Sequence, residues 1–329
     1  MWATHGDPQI VHGVASPYCS GAGTFWRRLR LQYMRRGLLI IAVWLITSCS
    51  PFRAQDADVV PKPSPALATQ LGARAIMQRA VAKDIVNWQA AKDYTFLQRT
   101  QEDMLDGEGH VKSSKSETGE ILVLYGEPLE RVIAKDDKPL SEKDQKKQNE
   151  KFDSETQKRA NESPEQRQKR LQKYEKDREE ARAFVREILD AYDFTLAGTE
   201  TFNGRETWII DGSPRAGFHG KRRESKMLPK IKPRFWIDQQ DYSWVKLRAE
   251  IIDTLSFGWV VARLHKGSVF EMQQIRLNNE LWLPQRFDVK LDARVALLKG
   301  VNENVHVTYR DYRRFRTETK ISIAEPTTP

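Results

Sequence analysis

Few residues in this chain have the chemistry to act on a substrate, and their spacing decides what they can do. It carries two cysteines, Cys19 and Cys49, and six histidines. His110, His219, His265 and His306 follow no H-E-x-x-H or other metal-ligand spacing. No G-x-S-x-G nucleophile elbow and no G-x-x-x-x-G-K-[ST] phosphate loop occurs. Asp211 and Asp238 each follow an expected strand end, where a carboxylate pair can be imagined, but aspartates in such places commonly form turns. These residues therefore point to no catalytic group, no metal and no cofactor, and the chain does not read as an enzyme. What remains is one thiol in a distinctive setting, Cys49, at the end of "RRGLLIIAVWLITSC".

Arg35 and Arg36 precede ten apolar or small residues, Leu38 to Thr47. A helix that crosses a bilayer needs roughly 20. The run has the length of an export-signal core behind a charged start. Ile46-Thr47-Ser48-Cys49 resembles a bacterial lipobox, in which the thiol accepts diacylglycerol and the cysteine becomes the mature N-terminus. Three outcomes fit the stretch: acylation at Cys49, later cleavage (for example after Ala54) that leaves a soluble periplasmic protein, and retention as a short anchor. Length disfavours the anchor, and Ser48-Cys49 favours acylation. Met34 is a plausible start, so residues 1–33 are left out of the fold. Residues 1–48 then form leader and signal, and 49–66 form a Pro-rich tether with Pro51, Pro61, Pro63 and Pro65. The folded domain is expected over 67–329.

That domain lacks cysteine, so neither a disulfide nor a thiolate metal site supports it. The chain has a net charge of +9, a pI near 9.4 and 30% charged residues. A basic excess suits an acidic partner such as phospholipid head groups. Export rules against nucleic acid.

The elements that must position any site follow from periodicity. Leu71, Ala75, Ile76, Val81, Ile85 and Trp88 recur at helical spacing and predict an amphipathic helix over 67–92. Strands are expected at 94–102, 110–116, 120–125 (closed by Glu127-Pro128) and 129–134. Residues 135–182 are almost wholly charged or amide, which predicts a solvated helical hairpin broken near Ser163-Pro164; the charged helical insertion is placed at about 135–190. From Tyr192 onward β segments alternate with turns. Asn203-Gly204 is a strong hairpin signal. Val245, Leu247, Ala249 and Ile251 are expected on one face, opposite Lys246, Arg248 and Glu250. The whole reads as α+β, mainly antiparallel β, a curved half-barrel with helices over its open side.

Trp208, Ile210, Trp236, Val245, Leu247, Trp259, Val261, Phe270, Met272, Leu281, Leu283, Phe287 and Val289 lie on these strands. Each is either ordinary core or the lining of an apolar cavity. Lys221, Arg222, Arg223 and Lys226 form a basic loop, either solvated or in contact with anionic head groups at the cavity mouth.

At "ETWIIDGSP" and "RFWIDQQDYSWVKL" the sequence resembles the lipoprotein-localisation fold, the LolA/LolB/RseB-like lipoprotein-sorting family. Asp211 and Pro214, Trp236 and Asp238, and Lys246 carry the resemblance. It implies an unclosed barrel plugged by helices, whose apolar interior takes acyl chains or a lipidated peptide. With the lipobox, a lipidated and membrane-attached arrangement is expected. Ser50 in place of an aspartate leans toward the outer membrane. The alternative is an envelope protein-interaction or sensor module of the same fold with no carrier role. The mass of the chain recovered from cell envelopes is expected to fit a start at acylated Cys49, and Cys49→Ser to abolish the acyl mass. An unmodified start beyond Ala54 would contradict it.

Overall fold

A computed structural model describes residues 65–222, 224–257, 262–278, 280–295 and 299–314. Cys49, Arg223, Trp259 and Val261 lie outside them.

The described residues form one antiparallel sheet with three helices. Helix α1 (Pro65–Ala90) breaks at Gly72 (φ 67°) and ends in a 3-10 turn, Ala91–Asp93. The next elements are β1 (Tyr94–Leu105), β2 (Val111–Leu124), β3 (Glu127–Lys135) and the short β4 (Lys138–Pro139). Helices α2 (Glu142–Ala160) and α3 (Pro164–Ala191) follow, and α3 runs directly into β5 (Tyr192–Phe202) and β6 (Arg205–Pro214). A 3-10 turn (Ser225–Lys230) leads to β7 (Ile231–Asp238) and β8 (Trp244–Ile251). The small β9 (Leu255–Phe257) and β10 (Ala262–Leu264) precede β11 (Val269–Leu277), β12 (Leu281–Val295) and β13 (Lys299–Arg314). The sheet order is β4-β3-β2-β1-β13-β12-β11-β8-β7-β6-β5, with β9 and β10 at the side of β12. First and last strands pair in mid-sheet, Gln98 opposite Tyr309 and Thr100 opposite Val307. The order does not close on itself, so the sheet is an open half-barrel. Bulges near Phe96, Ala197 and Trp236 bend its strands.

Local chemistry explains the boundaries. Asn203 (φ 49°) and Gly204 (φ 75°) take the left-handed conformations of a two-residue hairpin. The Ser141 hydroxyl accepts the Asp144 N–H at 3.2 Å and starts α2. Ser163 and Gln166 form a reciprocal capping box with Pro164 in the first turn of α3.

Three expectations change. The strands expected at 110–116 and 120–125 are one, β2 (Val111–Leu124), and Glu127-Pro128 opens β3 rather than closing a strand. Consecutive residues Val111 to Lys115 are exposed, so both faces of that end of β2 meet water, which the polar run 112–118 suits. The charged stretch is also more than a solvated hairpin. It is the crossover between the two ends of the sheet, β4 and β5. Helix α2 lies on β3, whereas α3 lies against α1, β5 and the 3-10 turn. Arg159, Arg178 and Arg182 are buried. Arg159 donates to the Leu124 carbonyl at 3.3 Å, Arg170 to that of Tyr125 at 3.2 Å, and Arg170 lies 3.1 Å from Glu127. Buried arginines need such partners: Arg159 and the half-buried Arg170 clamp the crossover to the β2–β3 turn, whereas Arg178 and Arg182 pair with Glu175 and Glu179 within α3.

The main core lies between α1, α3 and strands β5–β8. Ile76, Met77, Ala80 and Val81 of α1 meet Val185 and Ile188 of α3 and Trp208, Ile210, Phe235, Ile237 and Trp244 of the sheet. Trp208 has no exposed surface. Trp208→Ala is expected to cost about 3–5 kcal/mol in a urea melt, as for other large buried aromatics.

Candidate functional site

The inner face of the sheet carries an apolar lane across six neighbouring strands. Residues directly opposite each other are Ile210 and Phe235, Phe235 and Leu247, Leu247 and Met272, Met272 and Phe287, and Phe287 and Val307. A parallel row, Ala249-Phe270-Val289-Val305, lies beside it. The period of two puts the alternate residues on the outer face. There the matching row reads Asp211, Arg234, Arg248, Glu271, Asp288 and His306. Asp211 and Arg234 make two hydrogen bonds of 2.6 and 2.8 Å, and the guanidinium holds that carboxyl below its ordinary range. His306 Nδ1 lies 2.6 Å from Asp288 and Nε2 lies 3.8 Å from Asp103. One face is therefore built for apolar contact and the other for water.

The expected cavity residues divide between these environments. Ile210, Leu247, Met272 and Phe287 share the lane, Phe270 and Val289 the adjacent row, and Trp208 the core under α1. Leu281 and Leu283 cluster with Ala91 and Tyr94, near the end of α1. Trp236 and Val245 do not join them. They form a separate cluster with Trp282. Trp236 alternates with Phe235 and Ile237 and so faces the other way, and a bulge turns Val245: Trp236 pairs with Lys246 but Ile237 with Trp244, so Val245 is the extra residue and leaves the face of Leu247. Phe235 and Val307 are lane residues beyond the expected cavity set; alternation along 304–309 already puts Val305, Val307 and Tyr309 on one face. The signal that could have found Phe235 lies in its own strand, where Phe235 and Ile237 alternate with Arg234 and Trp236.

The residues of the family resemblance have structural jobs. Asp238 accepts the N–H groups of Gln240 (2.8 Å) and Asp241 (3.0 Å) and pairs with Arg205, so it forms the β7–β8 turn. Lys246 stands 4.7 Å from the centre of the Trp236 ring and 3.2 Å from Glu271. In the basic loop, Arg222 is paired with Glu187 of α3, whereas Lys221 and Lys226 are exposed. Among the described residues no group of three His, Cys, Asp or Glu is placed to hold a metal ion. No helix among them is long and apolar enough to cross a membrane.

Helix α1 covers the first part of the lane at a cost. Asp84 lies on the buried side of α1, one turn from Ala80 and Val81. Burial pushes its carboxyl up to about 7. Asn87 beyond it donates to Ser243 at 3.2 Å. The indole N–H groups of Trp208 and Trp244 are buried and find no partner among the described residues. Each unpaired donor costs roughly 1–3 kcal/mol. An open depression of about 660 Å³ lies elsewhere, along α3 between Glu162 and Glu175.

No protein-family model and no curated protein matches this sequence. Similar solved structures include a domain from Vibrio parahaemolyticus described as belonging to an outer membrane lipoprotein-sorting protein. It is 10% identical, covers 74% of this chain and 95% of its own, and has a TM-score of 0.32. A LolA superfamily protein from Nitrosomonas europaea is 12% identical over 74% and 93%, with a TM-score of 0.29. Pseudomonas aeruginosa MucB, in a complex with MucA, is 10% identical over 74% and 99%, with a TM-score of 0.20.

The buried carboxyl makes a pH dependence. The folded chain binds the Asp84 proton more tightly than the unfolded chain does, so stability falls as pH rises from about 4 to about 7 and stays reduced above. The difference is on the order of 4 kcal/mol. Asp84→Asn is expected to raise the melting temperature by several degrees more at pH 8 than at pH 5. Equal shifts at both values in thermal melts would exclude an ionised Asp84 as the cause.

Proposed function

We propose that this chain is a cell-envelope protein that holds an acyl chain, either a lipid or the lipid of a modified polypeptide, on the inner face of its half-barrel. Its role would be in the sorting or transfer of lipoproteins. The observation that supports this reading best is the lane from Ile210 to Val307, apolar on all six strands. An acyl chain gains about 0.8 kcal/mol per buried CH₂, so a long extended contact with such a lane suits it. The cover fits as well. Helix α1 buries Asp84 and leaves two indole N–H groups without partners, which lowers the cost of its displacement. A chain entering beneath α1 would take over its apolar contacts and return Asp84 to water. In this reading the acylated Cys49 tethers the domain to the membrane, the outer one in view of Ser50, from which its cargo comes or to which it goes.

The test is lipid extraction and mass spectrometry of the purified protein, with titration of a fluorescent fatty-acyl probe. Co-purifying acyl lipid, or probe binding that Met272→Glu weakens at least about tenfold, is the expected result. An empty protein with no probe affinity would sink the reading.

A further inference from the structure

The loop that joins β6 to β7 concentrates the charge of the chain. Together with the first four residues of β7, from Arg215 to Arg234, it holds eight Lys and Arg against one acid, Glu224, a surplus of seven in a chain of net charge +9; Lys232 and Arg234 stand on the strand. Half of these cations are committed within the fold. Arg215 pairs with Asp193 (2.9 Å), Arg222 with Glu187, Lys230 with Asp253 (2.9 Å) and Arg234 with Asp211 (2.6 Å). Lys221, Lys226 and Lys232 are exposed and make no ion pair with the described residues. Arg223 lies outside those residues.

The loop is held in shape. A Cβ on Gly220 would come within 2.4 Å of the Ser225 carbonyl carbon, so only glycine lets the chain fold back there. Leu228 is buried in the main core, and its carbonyl accepts the Tyr192 hydroxyl at 2.7 Å. The Lys230 ammonium also donates to the Thr254 carbonyl at 2.9 Å. The free lysines therefore project from a fixed base.

We propose that this loop is a docking platform by which the domain settles on an anionic lipid surface, with Lys221, Lys226 and Lys232 meeting phosphate head groups. The division of labour between residue types favours a membrane over other polyanions. The described arginines, whose planar forks would read a phosphate or carboxylate in fixed geometry, are used up in internal pairs. What is left outside are ammonium groups on flexible stems, which suit a diffuse layer of head groups. Phe218 is the only aromatic residue in the loop and packs against the core, so no stacking platform for bases is present among these residues. Attraction to lipid of this kind is independent of any acyl chain on the inner face.

The experiment is sedimentation of the full chain, carrying Cys49→Ser so that no acyl anchor contributes, with phosphatidylcholine vesicles with and without phosphatidylglycerol. Binding should increase with the anionic lipid and fall in high salt. Lys221→Glu, Lys226→Glu and Lys232→Glu together should weaken binding to the anionic vesicles on the order of 100-fold. The same change of charge on α2, Lys143→Glu, Lys147→Glu and Lys151→Glu, should leave it within about threefold. Equal losses in the two triple variants would reduce the effect to net charge and overturn the platform. So would unchanged binding in the loop variant, or equal binding to both kinds of vesicle. Unaltered melting of both variants checks folding, and acyl-probe affinity retained by the loop variant separates this surface from the inner face.

Discussion

Everything on the inner side of this sheet depends on the burial of one face of α1. Ile76, Met77, Ala80 and Val81 meet the concave ends of β5–β8, and each large side chain there contributes roughly 1.5–3 kcal/mol of apolar burial. That gain holds α3 and the aromatic core in place. It also carries Asp84 and the two unpaired indoles into the interior. The helix is thus bound by strong apolar contacts and loosened by a few polar ones. Its side-chain hydrogen bonds to the rest of the fold are few: Arg74 to the Leu189 carbonyl, Arg79 to the Tyr242 hydroxyl and Asn87 to Ser243.

The two faces of the sheet are complementary solutions to one constraint. In a strand, every second residue must face the same way. On the inner side the chain spends these positions on Ile210, Phe235, Leu247, Met272, Phe287 and Val307. On the outer side it spends them on charges that pair across strands, as Asp211 does with Arg234 and Lys246 with Glu271. Trp236, Val245 and Trp282 are the exception, an apolar island on the wet side. It is roofed by polar groups: Trp236 donates to Glu200 at 2.7 Å and Trp282 to Asp241 at 2.9 Å. Tryptophan suits this role, since it brings apolar area and one polar handle.

Much of this was legible in the residues. Helix α1, the break at Ser163-Pro164, the hairpin at Asn203-Gly204 and the mainly antiparallel half-barrel follow from periodicity and turn chemistry, which are local. What was not legible is non-local. Nothing near Val245 announces that a bulge turns it away from Leu247, because the bulge is a property of the pair of strands. The charged stretch reads as solvent-exposed because it has few apolar residues. The inward-turned Arg159 and Arg170 depend on carbonyls and on Glu127 contributed by the β2–β3 turn. In the basic loop, composition counts cations, but only the fold shows which of them are already paired.

The pairing of β1 with β13 sets the order in which the molecule can be built. Thr100 meets Val307, so the strand made first among the β elements waits beside an empty edge until the strand made last arrives. Contacts this distant in sequence form slowly. The sheet is therefore continuous only once β13 has taken its place between β1 and β12, and until then its two halves share no strand edge.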